Sequence, residues 1–168
     1  MNLADILQKD QIVPDLKASN RWEAIEELIS TLVSCGKIRP EDREQITAVV
    51  KARDNKMSTG IGFGVGIPHA STDLISEVIG AFGRSRKKVS AAEAAARGWS
   101  ETAKGINFDA LDNQPVNLVM LFLVPQGQFQ KHLHTLASIA KRLHNKDFRQ
   151  ALEEADDAET MLRVIKAP

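Results

Sequence analysis

Residues 52–70, ARDNKMSTGIGFGVGIPHA, decide how this chain is read. From Thr59 to Ile67, glycine stands at every second position with Ile61, Phe63, Val65 and Ile67 between. Side chains of an extended segment alternate between faces, so the spacing predicts a strand with four apolar side chains on one face and bare backbone on the other. The bare face predicts close approach by another surface. The run ends in Pro68, which argues against a helix before it. A phosphate-cradling P-loop needs a Lys-Ser/Thr at the start of a helix, and a dinucleotide fingerprint needs its glycines to open one, so neither reading fits. His69 follows directly, at a strand end and beside a residue of fixed φ. Its reference pKa near neutrality leaves a ring-nitrogen lone pair available for attack on phosphorus at about pH 7.

Working outward, Asn20 followed three residues later by Glu23 resembles a capping box, and Ile25, Leu28, Ile29, Leu32 and Val33 repeat at helical spacing. That helix ends near Gly36. Pro40, Glu41 and Asp42 suit the first turn of a second helix, which buries Ile46, Val49 and Val50 and ends near Asp54. Residues 78–82 and 116–124 are β-rich, and the second run is apolar enough to be a central strand buried on both faces. Leu136, Ala137, Ala140 and Leu143 mark a further helix, and Met161, Val164 and Ile165 a last one. Strands interleaved with helices predict an α/β sandwich in one domain, residues 1–168. Residues 90–104, alanine-rich and broken by Gly98, predict a helical excursion on the surface. The run Arg84, Arg86, Lys87, Lys88 before it reads as a solvated loop rather than a docking patch.

Twenty-two basic residues balance twenty-two acidic ones, so no global field draws the chain to nucleic acid or to an anionic membrane. The lone Cys35 forms no intramolecular disulfide and is expected to pack. The N-terminal MNLADILQKD lacks a long apolar segment, and the run at 116–124 is far short of a membrane span. A cytoplasmic protein without membrane insertion is expected.

The 52–70 stretch resembles the phosphorylation-site signature of the fructose/mannitol/nitrogen class of enzyme IIA proteins (EIIA type 2) of the bacterial phosphotransferase system. Asp54, six residues, Ile61-Gly62, two residues, then Val65, Gly66, Ile67, Pro68, His69 and Ala70 follow it in order, with Gly66 where the family more often has alanine. The stretches FDALDNQPVNLVMLFLVP from Phe108 and KHLHTLASIAKRL from Lys131 are similar to the family as well, as is the N-terminal helix pair. Residues at about 89–104 look inserted.

The resemblance implies a mixed central β-sheet flanked by α-helices on both faces. It implies that His69 accepts a phosphoryl group, as tele-phosphohistidine, from a histidine phosphocarrier protein (HPr or its nitrogen-branch counterpart). It assigns His132 a hydrogen bond to the phosphoryl oxygens and Arg53 the balancing of their charge, with His134 as the competitor of His132. No cofactor is implied. The segment HLHTLASIAKRL is similar to the nitrogen-regulatory members, which favours output through a phosphorylation-sensitive target protein. One rival is a fructose- or mannitol-type IIA that hands the group to a separate IIB; another is an interaction module that is never phosphorylated. On residues alone, Arg53 also suits a helix C-terminus, where a basic side chain complements the dipole. The pair His132 and His134 could suggest a metal site with His69, but residues two apart on a helix point to opposite sides, and no cysteine cluster or HExxH accompanies them. His144, at a helix end, has no assigned role.

Overall fold

The computed structural model describes residues 1–167. Along the chain run α1 (Leu3–Ile6), β1 (Ile12–Val13), α2 (Arg21–Ser34), α3 (Arg43–Lys56), β2 (Gly60–Gly62), β3 (Val65–Gly66), β4 (His69–Thr72) and β5 (Ile79–Arg84). They are followed by α4 (Ala91–Arg97), β6 (Leu118–Pro125), α5 (Leu133–His144), α6 (Lys146–Glu154) and α7 (Ala158–Lys166). Single 3₁₀ turns occupy Lys9–Gln11, Pro40–Asp42 and Gln130–His132.

Strand β6 organises the sheet. It pairs antiparallel with β5 from Leu118–Arg84 to Leu123–Ile79, and on its other side it pairs parallel first with β3 and then with β4. β1 extends the sheet parallel to β5, and β2 closes the opposite edge antiparallel to β3. The sheet is therefore mixed. All eight β6 residues are buried, and they alternate between two cores. Val119, Leu121 and Leu123 pack with α2 and α3, whereas Leu118, Met120, Phe122 and Val124 pack with α1, α5, α6 and α7. Burying each such side chain contributes about 1.5–3 kcal/mol, so the apolar run predicted to be central is what joins the two helical layers.

The predicted helix from Asn20 is present with its cap: Asn20 Oδ1 accepts from the Glu23 N–H at 2.9 Å. Glu23 reaches back one residue further than a capping box requires, accepting from the Ser19 N–H at 2.8 Å. Ser90 caps α4 in the same way, and Gly98 ends it in the left-handed region at φ +72°. Cys35 is half-buried and its Sγ donates to the Thr31 carbonyl, as packing predicts. Among the described residues no helix is long and apolar enough to cross a membrane.

Three expectations change. Residues 59–67 form a β-hairpin and not one strand: Phe63 (φ 58°) and Gly64 (φ 78°) make the turn between β2 and β3. In consequence Val65 and Ile67 are buried while Ile61 and Phe63 stay 36% and 55% exposed. A side chain as large as phenylalanine is disfavoured at positive φ, and local contacts hold it there: its N–H donates to Asp112 Oδ2 at 2.9 Å, and its ring packs nearly perpendicular to the His144 ring with centroids 4.5 Å apart. Second, the basic run before α4 is not simply solvated. Arg84 is 1% exposed and donates to the carbonyls of Pro14, Leu152, Glu153 and Ala155, closing the C-terminal end of α6; Arg86 reaches Glu153 and Ala155 from outside. Helix C-termini present carbonyls without intrahelical donors, which is what a guanidinium supplies. Third, α6 itself was not foreseen, its apolar stripe being reduced to Phe148, Ala151 and Leu152.

Candidate functional site

His69 sits where β3 gives way to β4. Pro68 has no N–H to offer, yet its carbonyl accepts from the Phe122 N–H at 3.0 Å, so the chain continues along β6 across the break. The half-buried ring of His69 places Nδ1 2.8 Å from the Ile67 carbonyl oxygen. A carbonyl only accepts, so Nδ1 carries the proton and Nε2 keeps its lone pair. The Phe129 ring stacks on the imidazole with centroids 5.8 Å apart and planes 17° from parallel. Burial pushes the His69 pKa below its ordinary 6.5; the Arg53 charge adds to this, while the Ile67 hydrogen bond and Asp54 oppose it. At neutral pH the ring is neutral, with Nε2 as its unprotonated nitrogen.

Two cavities flank that ring. One, of about 450 Å³, is lined by Arg53, Lys56, Ser71 and Phe129; the other, of about 370 Å³, by Arg53, Ile61, Leu133 and Leu136. Arg53 and His69 line both, so the structure brings these two predicted residues together. Arg53 lies in the last turn of α3, where its Nη1 donates to the Met57 carbonyl at 3.0 Å. His132 ends the Gln130–His132 turn, partly buried, and His134 is exposed on the first turn of α5. Among the described residues the linings of the two cavities include neither. No group of three metal-ligating side chains converges among the described residues.

Behind the ring lies a buried acid. Asp54 Oδ1 accepts from both the hydroxyl and the backbone N–H of Thr59, and its Oδ2 faces Arg21 Nη1 at 3.3 Å as an ion pair without hydrogen-bond alignment. The Thr59 carbonyl accepts from the Ile67 N–H at 3.0 Å. Arg21 also donates to the Phe108 carbonyl, at 3.2 Å. Phe108 explains the one departure from the signature. A methyl on Gly66 would stand 3.2 Å from two atoms of the Phe108 ring and 3.3 Å from Val116, so glycine makes room for that ring. The surface expected to approach the bare backbone is thus the chain's own 108–110 segment. Asp54 stood in the quoted signature without a role, while Phe129 and Arg21 gave no local signal, being distant in sequence from His69.

The family described as "Phosphoenolpyruvate-dependent sugar phosphotransferase system, EIIA 2" matches residues 5–98 and 98–167. A "PTS system fructose-specific EIIA component" of Haloferax volcanii is 34% identical over 142 residues, covering 84% of this chain and 80% of that protein. A "Nitrogen regulatory protein" of Escherichia coli is 30% identical over 165 residues, 98% of this chain and 90% of its relative. The crystal structure of Nitrogen Regulatory Protein IIA-Ntr from Neisseria meningitidis superposes with a TM-score of 0.78 over 98% of this chain and 99% of that one, at 27% identity. Matched along nearly its whole described length and carrying the Pro-His pair at the end of its glycine hairpin, the chain belongs to the EIIA 2 family of the phosphoenolpyruvate-dependent sugar phosphotransferase system.

Proposed function

We propose that this protein is a phosphoryl carrier that takes a phosphoryl group onto His69 Nε2 from a phosphohistidine carrier protein and acts as a nitrogen-type regulatory IIA. The observation that carries the reading is the 2.8 Å contact between His69 Nδ1 and the Ile67 carbonyl, which leaves Nε2 as the nucleophile. The Nε2 lone pair forms the new N–P bond as the donor's N–P bond breaks, and the electron pair of the broken bond stays on the donor nitrogen. No proton has to move on His69. Its ring gains positive character as the bond forms, and the Ile67 carbonyl, accepting from Nδ1–H, favours that charge. Phosphoryl transfer passes through a loose transition state, so the protein's contribution is in-line positioning and charge balance. Arg53, which shares both cavities with His69, supplies the cation. His132 is the second donor in this reading, carried by the turn that follows Phe129, whose ring lies on His69.

The regulatory role is supported by full-length similarity to proteins named nitrogen regulatory, including one from Bradyrhizobium diazoefficiens at 27% identity over all 168 residues. Phosphorylation would place negative charge inside a rim of Ile61, Leu133 and Leu136, changing which partner surface fits. A second reading, a sugar-uptake IIA that passes the group to a separate IIB, is favoured by the 34% identity to the fructose-specific component. The deciding experiment is intact-protein mass after incubation with phosphoenolpyruvate, enzyme I and the histidine phosphocarrier, for wild type and His69→Ala. An acid-labile gain of one phosphoryl group in wild type only is expected; no gain beside an active donor system would refute the carrier role. Chase of the labelled protein with a IIB separates the two readings.

A further inference from the structure

We propose that Asp54, held by Arg21, is a positioning residue for His69, acting through Thr59 and the Ile67 carbonyl to fix which ring nitrogen faces the phosphoryl donor. This rests on the phosphoryl-acceptor reading above. The path is continuous: Asp54 Oδ1 receives the Thr59 hydroxyl and its N–H, the Thr59 carbonyl receives the Ile67 N–H, and the Ile67 carbonyl receives His69 Nδ1–H. Thr59 and Ile67 flank the β2–β3 hairpin and are joined by their backbone hydrogen bond, so the direction of the Ile67 carbonyl follows from where Asp54 holds Thr59. An Ile67 peptide turned away would free Nδ1 of its acceptor, and both tautomers of the ring would then be populated. Asp54 is 1% exposed, a burial that a carboxylate tolerates only when paired and hydrogen-bonded. Arg21, with a side chain 14% exposed, is the cation that meets this demand, and its other nitrogen faces Asp109 Oδ2 at 3.9 Å. Asp109 in turn pairs with Arg97 of α4, so the pair also ties the 89–104 segment to the base of the site.

The test uses the full chain with ¹⁵N-labelled histidine and three variants: Asp54→Asn, Thr59→Val and Thr59→Ser. In wild type the His69 ring is expected as one tautomer protonated on Nδ1, read directly from its ring-nitrogen shifts. Asp54→Asn and Thr59→Val should mix the tautomers and lower the rate of phosphoryl acceptance at saturating donor about ten- to a hundredfold, with the half-saturating donor concentration unchanged. Thr59→Ser should restore both. Should Asp54→Asn not fold, Thr59→Val decides, since it keeps the backbone N–H to Asp54 and removes only the hydroxyl. Folded variants with a wild-type tautomer and rates within twofold of wild type would overturn the proposal. A tautomer shift in a protein that no donor phosphorylates would keep the positioning and refute the carrier reading instead.

Discussion

Replacing Arg84 by methionine keeps much of the side-chain length and removes the guanidinium. Arg84 donates to four carbonyls, of which Glu153 and Ala155 also receive Arg86 Nη2, at 3.2 and 2.9 Å, while Pro14 and Leu152 lose their Arg84 donor. A buried acceptor left dry costs about 1–3 kcal/mol, so the buried Leu152 and the half-buried Pro14 together cost at most about 2–6 kcal/mol. Removing a charge from the interior offsets part of this, because burial already disfavours the charged form of Arg84. The net loss expected is about 2–4 kcal/mol. For a chain of this size each kcal/mol moves the midpoint by about 2–4 °C, so Tm should fall by about 4–16 °C. Denaturant and thermal unfolding followed by circular dichroism, with Arg86→Ala as the exposed control, measure the free energy and Tm respectively. The control should cost no more than about 1 kcal/mol. An Arg84→Met protein within about 0.5 kcal/mol of wild type would show that the carbonyls at the end of α6 do not need this donor, and would refute the reasoning.

Gly60→Ala should destabilise more than Gly66→Ala: the first methyl would meet Ala110 backbone at 3.0 Å, the second only side-chain atoms of Phe108 and Val116 at 3.2–3.3 Å. Chemical denaturation should give about 2–3 kcal/mol and about 1 kcal/mol. Because the His69 pKa lies below 6.5, phosphoryl acceptance should hold as pH falls to that value and decline only beneath it, which a pH–rate series reads directly. Stability follows the same sign: between the lowered native pKa and the unfolded value near 6.5 the unfolded chain binds more protons, so acidification through that window weakens the fold, and His69→Gln should flatten the dependence. Arg53→Gln should slow phosphoryl acceptance about a hundredfold or more while changing stability by less than about 1 kcal/mol, as rapid-quench kinetics beside a melting curve would show.

Much of this was legible because periodicity reports burial. The stripe in α2 and the uniform apolarity of β6 each follow from one element facing one or two cores, and the sequence carries that directly. His69 was legible through its fixed neighbour Pro68 and the family resemblance. The glycine hairpin was not, since alternation looks the same whether a chain runs straight or folds back at Phe63-Gly64, and the turn lacks the usual Asn-Gly. Arg84 misled for a related reason. Charge predicts solvent unless acceptors are known, and its acceptors at the end of α6 lie 68 to 71 residues away. Phe129 and the Arg21–Asp54 pair were hidden similarly, their meaning lying in contacts between segments that only the fold brings together.

The uniform burial of β6 removes a safeguard that most strands have. Where one face is wet, a slip by one residue exposes apolar groups and is rejected on that ground; here both faces are dry, and slipping would merely exchange Leu121 and Phe122. What keys the alignment is a pair of notches in β5. Gly80 lies opposite Phe122 and Gly83 opposite Val119, and a methyl at either would press within 2.6 Å of Met120 or 2.7 Å of Leu16. A shifted β5 would drive Ala81 or Phe82 into those notches. Because His69 takes its own place opposite the same Phe122, its imidazole is indexed from the far side of the sheet by two residues that have no side chain at all.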